Sequence, residues 1–143
     1  MDKHFLENFI RQIDPSATRG SHQATREPWY NPHGDCIQFQ TVNEAVIGER
    51  IDNHLTIYRS AVSNQPIGFQ MKDVHRLIQK YGCSGIEVNA QVKGQRLVRV
   101  TGLLLYAYQS EPPTINRTTG YSSAISALTS IPDRIELPSL IAA

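Results

Sequence analysis

Hydrophobic and polar positions change rhythm several times along this chain. Residues 3 to 13 place Phe5, Leu6, Phe9, Ile10 and Ile13 on one helical face, with Glu7 and Arg11 opposite. The spacing predicts an amphipathic helix that stops near Asp14-Pro15, because proline disfavours helical geometry in the residue before it. From Pro15 to Pro28 the chain is rich in Ser, Thr, Gly, Arg and Gln and shows no period, which reads as a linker. The first helix therefore either packs on the domain or serves as a separate docking element.

Between Trp29 and Met71 the apolar runs are short and separated by turn signals. Asn31-Pro32-His33-Gly34-Asp35 is a turn by composition, and Cys36, Ile37 and Phe39 open a strand after it. A reversal at Asn43-Glu44 leads into Ala45 to Ile51, where alternation is partial. Asp52-Asn53 is a tight hairpin signal. Leu55 to Tyr58 carries β-branched and aromatic residues that suit a pleated surface. Ser63-Asn64-Gln65-Pro66 turns the chain again before Ile67 to Met71. That order predicts a β-meander. The period then lengthens: Val74, Leu77, Ile78 and Tyr81 form one helical stripe. Asp73 and Lys80 suit the helix dipole and Gly82 is a natural stop.

Two further strands are expected at Ile86 to Val92 and Arg96 to Val100, around Lys93-Gly94. Leu103 to Tyr108 reads as a buried strand or as a short helix with Thr101 as N-cap. The dominance of Leu and Ala favours the helix. Glu111-Pro112-Pro113 ends it. From Ser110 onward the texture changes: four of the eight prolines fall there among many Ser and Thr residues. An irregular tail is the expectation, with Ile125, Leu128 and Ile131 marking at most a brief helical turn. Its apolar end, containing Leu137, Leu140 and Ile141, looks like a docking peptide.

These elements describe an α+β protein: a small antiparallel β-meander sheet packed by one or two helices. The domain runs over residues 29–109. An N-terminal helix (1–14) and a linker (15–28) precede it, and a Pro/Ser/Thr-rich tail (110–143) follows. A length of 143 residues fits one domain with appendages. The hydrophobic fraction of 40% fits an ordered core with polar flanks. A formal net charge of +1 supplies no overall field toward nucleic acid or an anionic membrane. Two cysteines do not make a secreted disulfide framework. The N-terminus lacks a signal-peptide pattern and no apolar run reaches membrane-spanning length, so a cytoplasmic protein is expected.

Chemistry-bearing residues are sparse. His33, Asp35 and Cys36, with His54 and His75, are the best metal-like set, but no Cys-x-x-Cys or His-Glu-x-x-His spacing supports a metal or cofactor. Cys36 or Cys83 with His33 or His75 would be needed for nucleophilic catalysis. Glu44, Glu49 and Asp52 are strand-end carboxylates, which are ordinarily solvated. Gly82-Cys83-Ser84-Gly85 follows a helix instead of opening one, so it offers no phosphate cradle. Lys93, Arg96 and Arg99, with Arg59, Lys72 and Arg76, are the residues from which a basic face would be built.

Tyr30, Asp35, Ile37 and Phe39 match the opening Tyr-Asp-x-x-x-Asp-x-apolar-x-apolar pattern of a short bacterial family of unknown function. Ile67-Gly68-Phe69-Gln70-Met71-Lys72-Asp73 resembles that family's closing strand. Asn31 stands where the family has its early Asp, and the flanks are extra. The resemblance spans about a third of the chain. It implies a small antiparallel sheet with a helix and a dimer, and in some members an antitoxin-like role; it carries over no catalytic residues. The leading expectation is a non-enzymatic interaction or assembly protein acting through an exposed sheet edge and terminal docking segments, with a protein partner or a homo-oligomer. One alternative is a small hydrolytic enzyme using His33, Asp35 and His75. Another is an antitoxin-like regulator that meets nucleic acid through the basic residues of the 93–99 hairpin, Lys93, Arg96 and Arg99.

Overall fold

Strand pairing follows the apolar alternation. A computed structural model describes residues 27–88, 96–129 and 131–137. The predicted first helix, most of the linker, Lys93, Leu140 and Ile141 lie outside the described residues. Five strands form one antiparallel sheet: β1 (Trp29–Asn31), β2 (Cys36–Gln40), β3 (Val46–Arg50), β4 (Leu55–Ser60) and β5 (Pro66–Lys72). Their spatial order is β1-β2-β5-β4-β3. The protein is thus α+β with an antiparallel sheet, but the expected simple meander holds only for β3, β4 and β5. β2 pairs with β5, matching Ile37 to Met71 and Phe39 to Phe69. This returns the chain in a Greek-key path. The extra strand β1 lies where composition indicated the approach to a turn.

The β2–β3 connection spans the ends of two intervening strands and needs local support. Gln40 Nε2 donates to the carbonyls of Val42 and Glu44 at 2.8 and 3.0 Å. Ser60 Oγ donates to the Glu44 carboxylate at 3.0 Å and accepts from the Val62 and Ser63 amides. These bonds account for two buried polar side chains beside an apolar core. On β5, a Cβ at Gly68 would lie 2.0 Å from the Phe39 carbonyl oxygen. Only glycine permits that approach to β2.

One sheet face carries Ile37, Phe39, Leu55, Ile57, Phe69 and Met71, all buried in the main core. Three helices contribute to that core. Helix α1 (Val74–Tyr81) buries Val74, Leu77 and Ile78, the stripe predicted from spacing. Helix α2 (Val100–Gln109) buries Val100, Leu103, Leu104 and Ala107 at the same helical spacing. Helix α3 (Ile115–Ala127) occupies the segment expected to be an irregular tail. Its buried face is Arg117, Gly120, Tyr121 and Ala124, a set no hydrophobicity scan would single out. Finally, β6 (Glu87–Val88), β7 (Leu97–Val98) and β8 (Ile135–Glu136) form a second small antiparallel sheet.

Two helix starts draw their caps from distant parts of the chain, and that of α2 differs from the sequence expectation. Asp73 holds the N-cap position of α1 in left-handed geometry, φ 62°, and its side chain makes no cap bond. The Asp35 carboxylate accepts the His75 amide instead, at 3.0 Å. On α2 the cap position is Arg99, not Thr101. Thr101 donates its amide, at 2.9 Å, and its hydroxyl to Asp133. Both helices are therefore capped by carboxylates far away in the chain, where charge also favours the helix N-terminus.

Candidate functional site

The residues expected to form a site converge only in part. Asp35 sits in the β1–β2 turn with φ 49°, a geometry Asp tolerates better than most residues. Its carboxylate accepts the Tyr30 hydroxyl at 2.6 Å as well as the His75 backbone amide. Burial, followed by the hydrogen bond to Asp35, raises the Tyr30 phenol far above its ordinary range. Two residues that carry the family resemblance thus meet in a structural contact. The His33 and His75 imidazoles take no part in these bonds; His33 is exposed on the turn. His54 lies at the same end of the sheet, with Nδ1 3.2 Å from the Lys72 carbonyl and 3.9 Å from Asp73. Donation to that carbonyl would leave Nε2 as the acceptor nitrogen. Among the described residues, no group of three or more His, Cys, Asp and Glu is placed to hold a metal ion.

Arg96 pairs with Glu87 at 3.1 Å across β6 and β7. Arg99 is exposed at the start of α2. Leu137, expected in a docking tail, is buried in the protein's own core, and its amide donates to the Arg96 carbonyl.

The cluster that sequence missed centres on Arg117. Its side chain is 6% exposed and that of its partner Asp52 is 5% exposed. Nε donates to Asp52 Oδ2 at 2.9 Å. The two terminal nitrogens donate to the carbonyls of Glu111, Pro112, Ala107 and Tyr108 at 3.0 to 3.1 Å. Every guanidinium N–H therefore has an acceptor. The rings of Tyr108 and Tyr121 lie 5.0 and 5.3 Å from the guanidinium carbon, within cation–π range. Tyr121 donates its hydroxyl to Asp52 Oδ2, and the other Asp52 oxygen accepts the His54 and Leu55 amides.

Burial pushes the Asp52 carboxyl up. Bonds from Arg117, Leu55, His54 and Tyr121 outweigh it and hold the group below its ordinary value of 3.8. Burial likewise opposes the charge on Arg117, and Asp52 more than restores it. Desolvation, reinforced by Asp52, lifts the Tyr121 phenol well beyond its usual range. Asp52 is a buried, fully engaged carboxylate and not the solvated strand-end group expected from sequence. The cluster clamps the β3–β4 hairpin to the end of α2 and the face of α3. Its polar atoms have no capacity left for a substrate.

Open chemistry lies elsewhere. A shallow groove of about 490 Å³ is lined by Pro113, Thr114, Ile115, Thr118 and Thr119. It contains no titratable side chain. Strand β3 is the more informative surface. Four of its five residues are exposed, and among the described residues it pairs with β4 alone. The Ala61 amide donates to the Ala45 carbonyl, and the Ile51 amide to the Leu55 carbonyl. The register between these bonds is continuous. Alternation then turns the amides and carbonyls of Ile47 and Glu49 toward β4. Those of Val46, Gly48 and Arg50 point outward. Ile47 is 50% exposed, and Val42 and Val62 are exposed at the same end of the sheet. Glu49 is paired with Arg59 at 3.0 Å.

Comparisons with family models, with curated proteins and with solved structures find no match. No helix among the described residues is long and apolar enough to cross a membrane.

Proposed function

We propose that the protein is an assembly protein that acts by strand addition along β3. The observation supporting this is the outward row of backbone groups at Val46, Gly48 and Arg50, flanked by exposed Ile47. An edge of this kind is a template for a further strand.

The residues of β3 suit a second copy of the same chain. Antiparallel pairing about Ile47 sets Ile47 against Ile47 of the second copy. The same register sets Glu44 against Arg50 and Val46 against Gly48. It uses the outward-facing backbone groups and joins opposite charges across a two-fold axis. Catalysis has less support, because the Asp35 carboxylate is occupied by a phenol and a helix amide.

Native mass measured across a concentration series tests the proposal. The dimer fraction should rise with concentration in the parent chain and fall sharply in Gly48→Pro, which removes an outward N–H and adds a Cβ 3.2 Å from Thr56 Cγ2. Arg50→Glu should weaken the dimer, and Glu44→Arg in the same chain should restore it. A monomer at all concentrations, or a dimer indifferent to Gly48→Pro, would refute homotypic strand addition.

A further inference from the structure

Ion pairing sorts the exposed arginines into two groups. Arg59 and Arg96 are matched to Glu49 and Glu87. Arg99 and Arg134 are exposed and, among the described residues, neither guanidinium has an ion pair or a hydrogen bond. Strand register brings these two together. β7 and β8 pair Leu97 with Glu136 and Val98 with Ile135. The next step sets Arg99 opposite Arg134, and Arg99 still has extended geometry, φ −79° and ψ 130°. The bond from the Thr101 amide to Asp133 keeps the two segments side by side past that point. Val98 and Ile135 point into the core, so alternation turns both arginines outward. Like charges directly opposite each other repel. The neighbouring carboxylates are engaged: Glu87 with Arg96, Asp133 with Thr101, and Glu136 with a partner of its own.

We infer that this arginine pair is the phosphate-contacting centre of a surface for single-stranded nucleic acid. A guanidinium fork matches phosphate oxygens, and one phosphate held between two forks removes their repulsion. Two neighbouring features favour a nucleic-acid strand over other anions. β1 lies against β8 and begins with Trp29, the only tryptophan of the chain, which is 38% exposed. An open indole beside cations is a platform on which a base stacks. Helices α1, α2 and α3 contain no Asp or Glu, and α1, packed on α2, exposes Arg76 and Lys80 one turn apart. A strand leaving the arginine pair over this layer meets cations and no helical carboxylate. An acidic protein partner would need apolar anchors as well, and the exposed residues of α1 are Arg76, Gln79 and Lys80. The inference stands on other residues than the β3 edge.

Trp29 emission and the anisotropy of an end-labelled single-stranded oligonucleotide, followed together in a titration of the full chain, test this. Emission should be quenched as anisotropy rises. Arg99→Gln and Arg134→Gln should each weaken binding about three- to tenfold and make the slope of log affinity against log salt shallower by about 0.7. Trp29→Ala, read by anisotropy, should weaken binding about fivefold or more and leave that slope unchanged. Lys72→Gln is the control, because this exposed cation of β5 alternates with the core residue Met71 and points to the other side of the sheet. The unfolding midpoints of the two arginine variants should not fall, since each relieves a like-charge contact. No binding at low salt would overturn the inference, as would a loss in Lys72→Gln as large as in the arginine variants. Inorganic phosphate that displaces the oligonucleotide at an ionic strength where chloride does not would assign the pair to a free phosphate instead. Binding of a duplex as tight as that of the single strand, with Trp29 emission unchanged, would overturn the base-stacking role.

Discussion

The hairpin that follows β3 and the outer side of β3 are neighbours in the chain, and they treat their polar groups in opposite ways. At the hairpin, Asp52 gathers four donors and Arg117 finds five acceptors with almost no water access. Along β3, the backbone groups of every second residue point away from β4, and those of Gly48 and Arg50 lie on exposed residues beside a half-exposed isoleucine. Charge density alone would have pointed to the first region as the site. Counting hydrogen bonds reverses that ranking. A saturated buried ion pair holds elements together and offers nothing to a ligand. An unsaturated edge offers the same geometry that already binds its neighbour.

Breaking the saturated region should give the largest stability loss. Arg117→Met leaves Asp52 and four carbonyls without their donor. About 3–5 kcal/mol of unfolding free energy should disappear in denaturant titration. A loss below about 1 kcal/mol would show that the clamp matters little.

Asp52→Asn tests the same region through pH. The folded-state carboxyl is depressed below 3.8, so its stabilisation is complete above that value. It is lost as pH falls through the lowered folded value. The variant should lose about 1–3 kcal/mol at neutral pH, and its stability should fall less steeply than the parent's below pH 3.8. An acid limb as steep as the parent's would place the pH sensitivity elsewhere.

The long-range caps come next. Asp35→Ala and Asp133→Ala should each cost about 1–2 kcal/mol. Faster amide exchange should be confined to the first turns of α1 and α2 respectively. Smallest in stability is Gly48→Pro at the open edge, with a change within about 1 kcal/mol. Its effect should appear in association, which makes it the converse of Arg117→Met.

The sequence disclosed these regions unequally, for physical reasons. β2, β4, β5 and α1 were legible because period-two and period-3.6 patterns are local properties of neighbouring side chains. The pairing of β2 with β5 was not, since a strand's alternation names its buried face without naming its neighbour. Helix α3 was hidden because Thr118, Thr119, Gly120, Ser122 and Ser123 are poor helix formers, and its inward face begins with an arginine. Pro113-Thr114, with Thr114 capping the Arg117 amide at 3.1 Å, was the available signal for its start. Asp52 was readable as a turn residue. Its second role was not, because its partner stands 65 positions away. The free side of β3 emerges only once the strand order is known.

Amide hydrogen exchange along β3, followed across protein concentration, tests the central claim most directly. In dilute protein the Ile47 and Glu49 amides should be protected by β4, while those of Gly48 and Arg50, on exposed residues, exchange freely. Raising the concentration should protect Gly48 and Arg50 together, and Gly48→Pro should abolish that gain at Arg50. Fast exchange at Gly48 and Arg50 that does not change with concentration would contradict assembly through this edge.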